Sequence, residues 1–204
     1  MNETIKIYGN ITTSKRELRD LFKAWLIIAL VFTIGTRGYS LGFFFGFIVS
    51  LFTVGVAFLL HEASHKVMAQ KYGFEAEFRK FTPMLILSVV LSFLGIIFIA
   101  PGAVMIKALG ISPSENGKVS LAGPVSNLIL GTILVISSFI VSVPILKDVL
   151  LFGALVNCLI GLFNMIPFWL LDGKKIFDWD KRIYTVTIIL FLVLYVVIKI
   201  PLII

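Results

Sequence analysis

Six apolar runs, separated by short polar stretches, are the feature that most constrains how this chain can fold. A helix that crosses the hydrocarbon core of a bilayer needs about 20 apolar residues. Of the 204 residues 59% are hydrophobic and 14% are charged, whereas about 25% are charged in soluble domains. We therefore predict an all-α polytopic membrane protein, a single domain over residues 1–204 with about five to six transmembrane helices. The runs cover residues 24–36, 41–66, 84–106, 121–145, 149–171 and 183–204.

Two polar stretches outside the runs show the alternation that is typical of short strands. The first covers residues 4–8, and the second, residues 74–78, alternates apolar with charged residues. We predict short membrane-associated β-strands at both places. Ser14 and Glu17 have the spacing of a capping box, which predicts a helix that begins there and continues into the first apolar run. The polar N-terminal 20 residues lack the pattern of a removable signal peptide.

The distribution of Lys and Arg predicts the orientation of the chain. The net charge is +7, and basic residues of membrane proteins collect on the cytoplasmic side, so we expect a lipid bilayer and no nucleic acid as partner. With a cytoplasmic N-terminus and six crossings, 11 of the 18 basic residues lie inside; if run 84–106 re-enters, 15 do. Pro101-Gly102 interrupts that run. We therefore predict a re-entrant segment at 84–106 in a multi-pass protein of the cell membrane.

An H-E-x-x-H motif formed by His61, Glu62 and His65 stands at the end of the second apolar run. On a helix, side chains four residues apart share a face, so both imidazoles can bind one tetrahedral zinc. The glutamate between them can act on a water bound to that zinc. A charged side chain inside a membrane helix costs about 2.5 kcal/mol or more, so it rarely lacks a function.

A third zinc ligand has to be an acid or Cys158, because the sequence contains no other histidine. A catalytic zinc usually has three protein ligands and one open position. We favour Asp172, which follows an apolar run broken by Pro167 and which shares the cytoplasmic side with the histidines only if run 84–106 re-enters. The alternative is that Asp172 is a helix-end charge beside Lys174 and Lys175.

The remaining acids and the single cysteine have plainer interpretations. Cys158 lies in an apolar stretch and is predicted to be a small core-facing or lipid-facing side chain; one cysteine excludes an intrachain disulfide. The acids other than Glu62 and Asp172 are interpreted as interfacial or loop charges: Glu3, Glu17, Asp20, Glu75, Glu77, Glu115, Asp148, Asp178 and Asp180.

Three motifs together resemble the site-2 protease family of intramembrane zinc metalloproteases, over about residues 41–175. They are H-E-x-x-H, the N-x-x-P-x-x-x-x-D-G pattern from Asn164 to Gly173, and the G-P-x-x-N pattern that ends at Asn127. The resemblance implies cleavage of transmembrane protein substrates within the bilayer. It also implies one zinc ion per chain, bound by His61, His65 and Asp172, with Glu62 as the catalytic base. The distribution of basic residues, with run 84–106 re-entrant, places this site towards the cytoplasm.

The chain departs from the family pattern in two places. Lys174 stands where the family often has a second glycine, and residues 84–100 resemble an insertion relative to compact members. The candidates for substrate binding or for support of the ligands are Asn127, Asn157, Asn164, Pro167 and Gly173. For the asparagines, the alternative is a hydrogen bond between helices.

Two hypotheses about function and substrate follow from these motifs. An unwound substrate segment can pair with a strand at 74–80 or near 101–105 by strand addition.

The competing function is that of a membrane zinc-binding or zinc-transport protein without protease activity. A transporter usually needs several metal sites along a path, whereas this sequence has its two histidines in one place.

Overall fold

The computed structural model describes residues 4–36, 42–98, 101–108 and 110–200. Parts of the predictions above fall on Glu3, Leu41, residues 99–100 and residues 201–204, which lie outside the described residues. The chain divides into two compact units, one of Met1–Glu62 with Ala69–Ala108, the other of Ala63–Met68 with Leu109–Ile204.

The first unit begins with a β-hairpin, β1 (Thr4–Tyr8) and β2 (Ile11–Ser14), followed by helix α1 (Lys15–Gly35). Both the strand at 4–8 and the helix start are as predicted. Ser14 caps α1, because its side chain accepts a hydrogen bond from the Glu17 backbone N–H at 3.1 Å. Such a cap satisfies one of the backbone donors left free at a helix start.

The second apolar run forms a long helical segment made of α2 (Phe43–Ser50), a π-helical turn (Leu51–Gly55) and α3 (Val56–Lys71). The indole N–H of Trp25 on α1 donates to the Leu51 carbonyl at 2.9 Å. A Cβ on Gly55 would lie 2.2 Å from the same ring, so glycine is needed for α1 to approach this turn.

Strand β3 (Glu75–Lys80), helix α4 (Thr82–Phe93) and strand β4 (Gly102–Lys107) complete the first unit. The predicted strand at 74–78 is confirmed with slightly later bounds, and the third apolar run is a helix followed by a strand. β3 and β4 pair antiparallel from Glu75 opposite Lys107 to Lys80 opposite Gly102. The Phe81 N–H also donates to the Pro101 carbonyl at 2.8 Å. The segment that contains α4 therefore leaves and returns at the same end of one ladder.

The first unit also contradicts one interpretation made from the sequence. Glu17 is not an interfacial charge: its side chain is fully buried. The carboxylate accepts hydrogen bonds from the Thr13 hydroxyl at 2.7 Å and from the Phe78 backbone N–H at 2.9 Å. Asp20 is likewise buried. Buried charges need such partners because desolvation is costly, and Glu17 thereby joins the start of α1 to β3.

The second unit is helical and consists, besides its part of α3, of α5 (Pro113–Ile140), α6 (Pro144–Asn164), α7 (Asp172–Trp179) and α8 (Lys181–Lys199). Cys158 is buried, as one of the two predicted placements requires. α7 was not predicted, because the charges at 174–182 were interpreted as a polar connection between two apolar runs. The core consists of Val135, Leu151, Ala154, Cys158, Met165, Ile176, Phe191, Leu194 and Ile198.

Four helical segments of the described chain are long and apolar enough to cross a membrane: Phe43–Lys71, Pro113–Ile140, Pro144–Asn164 and Lys181–Lys199. Helix α4 is apolar but has only 12 residues, about 18 Å at 1.5 Å per residue, which is short of the roughly 30 Å hydrocarbon core. Helix α1 has 21 residues, but its first turns carry charge. The predicted five to six crossings therefore depend on how α1 and the α4 segment lie in the membrane.

Candidate metal centre

Helix α3 carries the H-E-x-x-H motif, as its spacing predicts. His61 and His65 are one turn apart, and their exposed fractions are 3% and 8%. Glu62, which lies between the two histidines in the sequence, is half-buried. Because the two imidazoles lie on one face of a continuous helix, the separation of their Cα atoms is set by helix geometry alone.

Asp172 is the first residue of α7, and its position depends on the short connection from α6. α6 ends at Asn164, and residues 165–171 separate the two helices. A Cβ on Gly173 would lie 2.1 Å from the Met165 carbonyl oxygen, so only glycine lets the start of α7 pack against the end of α6. A carboxylate in the first turn of a helix also interacts favourably with the helix dipole.

The carboxylate of Asp172 lies against His65. The distance from His65 Nε2 to Asp172 Oδ2 is 3.1 Å, and Asp172 is 8% exposed. His65 Nδ1 is 2.8 Å from the Val119 backbone carbonyl on α5. A carbonyl can only accept, so Nδ1 carries the proton, and Nε2 is the ring nitrogen that faces Asp172. A backbone carbonyl on the second nitrogen is the usual support for a histidine that binds a metal.

His61, His65 and Asp172 offer ligand atoms that all lie within 4.8 Å of one another. Two nitrogen and oxygen ligands about 2.0 Å from a tetrahedral zinc are about 3.3 Å apart, so the His65–Asp172 distance fits a shared ion. Two imidazoles and one carboxylate are also a donor set that zinc accepts in catalytic sites. The residues present therefore suit the zinc that the sequence predicts.

The alternative interpretation of Asp172, as a helix-end charge beside lysines, has a weaker basis in the geometry. Lys175 Nζ is 3.9 Å from Asp172 Oδ1, with the lysine side chain 38% exposed. Lys174 instead donates to Asp178, at 2.5 Å and 2.6 Å from the two carboxylate oxygens. The shorter and more buried contact of Asp172 is with His65.

The structure places the other candidate residues of the sequence analysis at different points of the second unit. Asn127 Nδ2 donates to Asn157 Oδ1 at 3.0 Å, which joins α5 to α6. Asn157 Nδ2 donates to the Gly153 carbonyl at 2.8 Å, and Asn164 Nδ2 to the Ile160 carbonyl at 2.9 Å. The bond between Asn127 and Asn157 fits the interhelical alternative for both residues. A role of the three asparagines in substrate binding stays a prediction.

Pro167 lies exposed in the connection from α6 to α7, two residues before Trp169, whose φ is 44°. The sequence did not reveal the part played by Val119, because a backbone carbonyl has no residue signature. Gly173 was singled out only as part of a motif; its close approach to Met165 supplies the physical reason.

Comparison with known proteins gives two relatives, both from Methanocaldococcus jannaschii. One, named "Putative zinc metalloprotease MJ0611", is 38% identical over 175 residues, which cover 85% of this chain and 89% of the relative. The other, named "Zinc metalloprotease MJ0392", is 30% identical over 178 residues, covering 86% of this chain but 45% of that protein. No protein-family profile and no solved structure matches this chain at a significant level.

Proposed function

Because the chain belongs to a family of zinc metalloproteases, we propose that it is an intramembrane endopeptidase of the site-2 protease type. It hydrolyses peptide bonds in or near transmembrane segments of membrane-protein substrates. The observation that carries this proposal is the close approach of His65 to Asp172, with His61 one turn away, on a chain with four membrane-length helices.

The proposed roles of the residues follow from their chemistry. A zinc ion in such a site lowers the pKa of a water it binds towards about 7 and polarises a carbonyl. His61, His65 and Asp172 hold the ion, and the hydrogen bond from His65 Nδ1 to Val119 fixes the imidazole that faces it. The Glu62 carboxylate accepts the proton of the attacking water and delivers it to the leaving amine.

The same proposal includes a topology. The α4 segment leaves the β3–β4 ladder at Lys80 and returns to it at Gly102, which supports re-entry on one side. With that arrangement and a cytoplasmic N-terminus, 15 of the 18 basic residues face the cytoplasm, as the positive-inside tendency favours. The metal centre then lies towards the cytoplasmic side, from which water has to reach it.

Zinc removal tests the proposed activity. A purified preparation incubated with a peptide that contains one transmembrane segment should cleave it, and a chelator such as 1,10-phenanthroline should stop cleavage. One equivalent of zinc should restore it, because the three ligands are protein side chains that remain in place. Mass spectrometry of the products should locate the cut in or next to the apolar segment. Zinc binding without any cleavage would instead support the zinc-binding or zinc-transport function.

Strand addition to β4 is the proposed way in which an unwound substrate is held. In the described chain β4 pairs with β3 alone. The outer edge of β3 is different, because there the Phe78 N–H donates a hydrogen bond to the Glu17 carboxylate. Phe78 and Val104 are opposite each other. Because Phe78 N–H points away from β4, this is a non-hydrogen-bonded pair, and the N–H and C=O of Val104 also point outwards. Among the residues that the structure describes, none pairs with this edge, so Val104 offers a donor and an acceptor to an incoming strand.

Replacing Val104 with proline should slow cleavage by roughly 2- to 10-fold, the effect of losing one hydrogen bond of about 0.5–1.5 kcal/mol. The outward N–H is lost, and the bonds between β3 and β4 are kept. Val104→Ala, which retains the N–H, is the matched control and should cleave like wild type, with equal zinc content in all three proteins. Equal rates for the proline variant and wild type would exclude strand addition at this position.

A further inference from the structure

An apolar groove whose lining includes two lysines runs between α1 and α4 in the first unit. It is open, with a volume of about 230 Å³. Lys23 and Ile27 line it from α1, and the residues that line it from the other side are Lys80, Thr82, Leu85, Ile86, Val89 and Val90.

The polar and apolar lining residues are separated along the groove. Lys80 and Thr82 stand where α4 begins, and the Lys80 ammonium donates to the Thr82 hydroxyl at 2.5 Å. From Thr82 to Val90 the helix advances eight residues, about 12 Å. Over that distance the groove is lined by aliphatic side chains, of which Ile86 and Val90 are 61% and 54% exposed. One end therefore suits an anion and the rest suits a hydrocarbon chain.

The charge of the groove is not balanced by the residues that line it. No Asp or Glu is among them, and in the described part of the chain neither Lys23 nor Lys80 has an acidic partner within 4.0 Å. Two other cations of the first unit do have acidic partners: Arg79 pairs with Glu77, and Lys107 pairs with Glu75. Two lysines that line an apolar groove without an acidic partner are complementary to a phosphate that carries an acyl or alkyl chain.

We propose that this groove binds one anionic membrane lipid, with the phosphate between Lys23 and Lys80 and a hydrocarbon chain along α4. Other occupants make poorer use of these residues. A zwitterionic lipid brings a second positive charge to the lysines, and a transmembrane helix of another protein leaves them without an anion. This inference does not depend on the proposed protease activity.

Native mass spectrometry of the purified protein, with equal amounts of phosphatidylglycerol and phosphatidylcholine in detergent, tests the proposal. We expect one phosphatidylglycerol to be retained at least tenfold more than phosphatidylcholine. The double variant Lys23→Gln, Lys80→Gln should lose that preference. Val89→Phe fills the groove and keeps both lysines, so it should lower the retention of phosphatidylglycerol. Glycerol phosphate, which has no hydrocarbon chain, should bind to this variant no better than it binds to wild type.

A matched control separates a built site from general surface charge. Lys181 and Arg182 begin α8 and do not line the groove, so the double variant Lys181→Gln, Arg182→Gln should retain the lipid like wild type. Equal retention of both lipids by wild type would overturn the proposal. So would an equal loss in the two double variants, or retention unchanged by Val89→Phe. Near-equal melting temperatures of the variants in lipid-free detergent would show that folding is not the cause.

Discussion

Replacing Glu62 with glutamine should lower the rate of peptide cleavage by about 10²- to 10⁴-fold, the contribution of a general acid–base group, and leave zinc bound. Glutamine has nearly the shape of glutamate but cannot accept the proton of the attacking water. The three residues that offer metal ligands, His61, His65 and Asp172, are unchanged. The two measurements are the turnover of a transmembrane peptide and the zinc content per chain of the same preparation.

An exposed position outside the motif supplies the control for this variant. Lys71 is exposed at the end of the same helix, so Lys71→Gln introduces the same side chain away from the motif and should cleave within about twofold of wild type, as surface substitutions change little. Full turnover by Glu62→Gln would show that the base is another residue. Loss of zinc together with turnover would show that Glu62 maintains the site instead of acting on the water.

The parts of this site that could be predicted are those that depend on local sequence. The placement of His61 and His65 on one face follows from the 3.6-residue period of a helix. The start of α1 at Ser14 follows from the chemistry of a cap. In both cases the residues that interact are three or four positions apart, so the tertiary fold does not have to be known.

The start of α7 could not be predicted, because its causes lie far from it in sequence. Helix α7 has only eight residues, and charged side chains at 174–182 fit a loop as well as they fit a short helix. Its position depends on the packing of Gly173 against Met165. Proline at 167 correctly indicated a break in the apolar run, but a break alone does not specify the direction in which the chain continues.

Pairing between strands shows a similar division. Alternation predicted a strand near 74–78, and the strand-addition hypothesis placed another near 101–105, but nothing local indicated that the two pair with each other. The burial of Glu17 was missed for the same reason. Its partner, the Phe78 N–H, is 61 residues away, and an acid in the first turn of an exposed helix would look the same in the sequence.

Replacing Asp172 with alanine should weaken zinc binding by more than 10²-fold and abolish cleavage. Loss of residues that only support a ligand typically costs 10- to 100-fold in metal affinity, and this variant removes the carboxylate that offers the oxygen atom of the candidate site. His65 Nε2 would keep its orientation through Val119, but two neutral imidazoles without the carboxylate hold zinc less firmly. Competition with a zinc-sensitive chromophoric chelator measures the affinity.

Asp178 and Lys175 provide the two comparisons that interpret this result. Asp178 is an exposed acid on the same helix, paired with Lys174, so Asp178→Ala should leave zinc affinity within about twofold of wild type. If Asp172 were only a helix-end charge, Lys175→Ala would resemble Asp172→Ala, and both would lower the melting temperature while zinc stayed bound. We expect instead that Lys175→Ala binds zinc normally, because its ammonium is 3.9 Å from Asp172 and partly exposed. Asp172→Asn, which preserves the shape of the side chain but not its charge, should fall between wild type and alanine in zinc affinity.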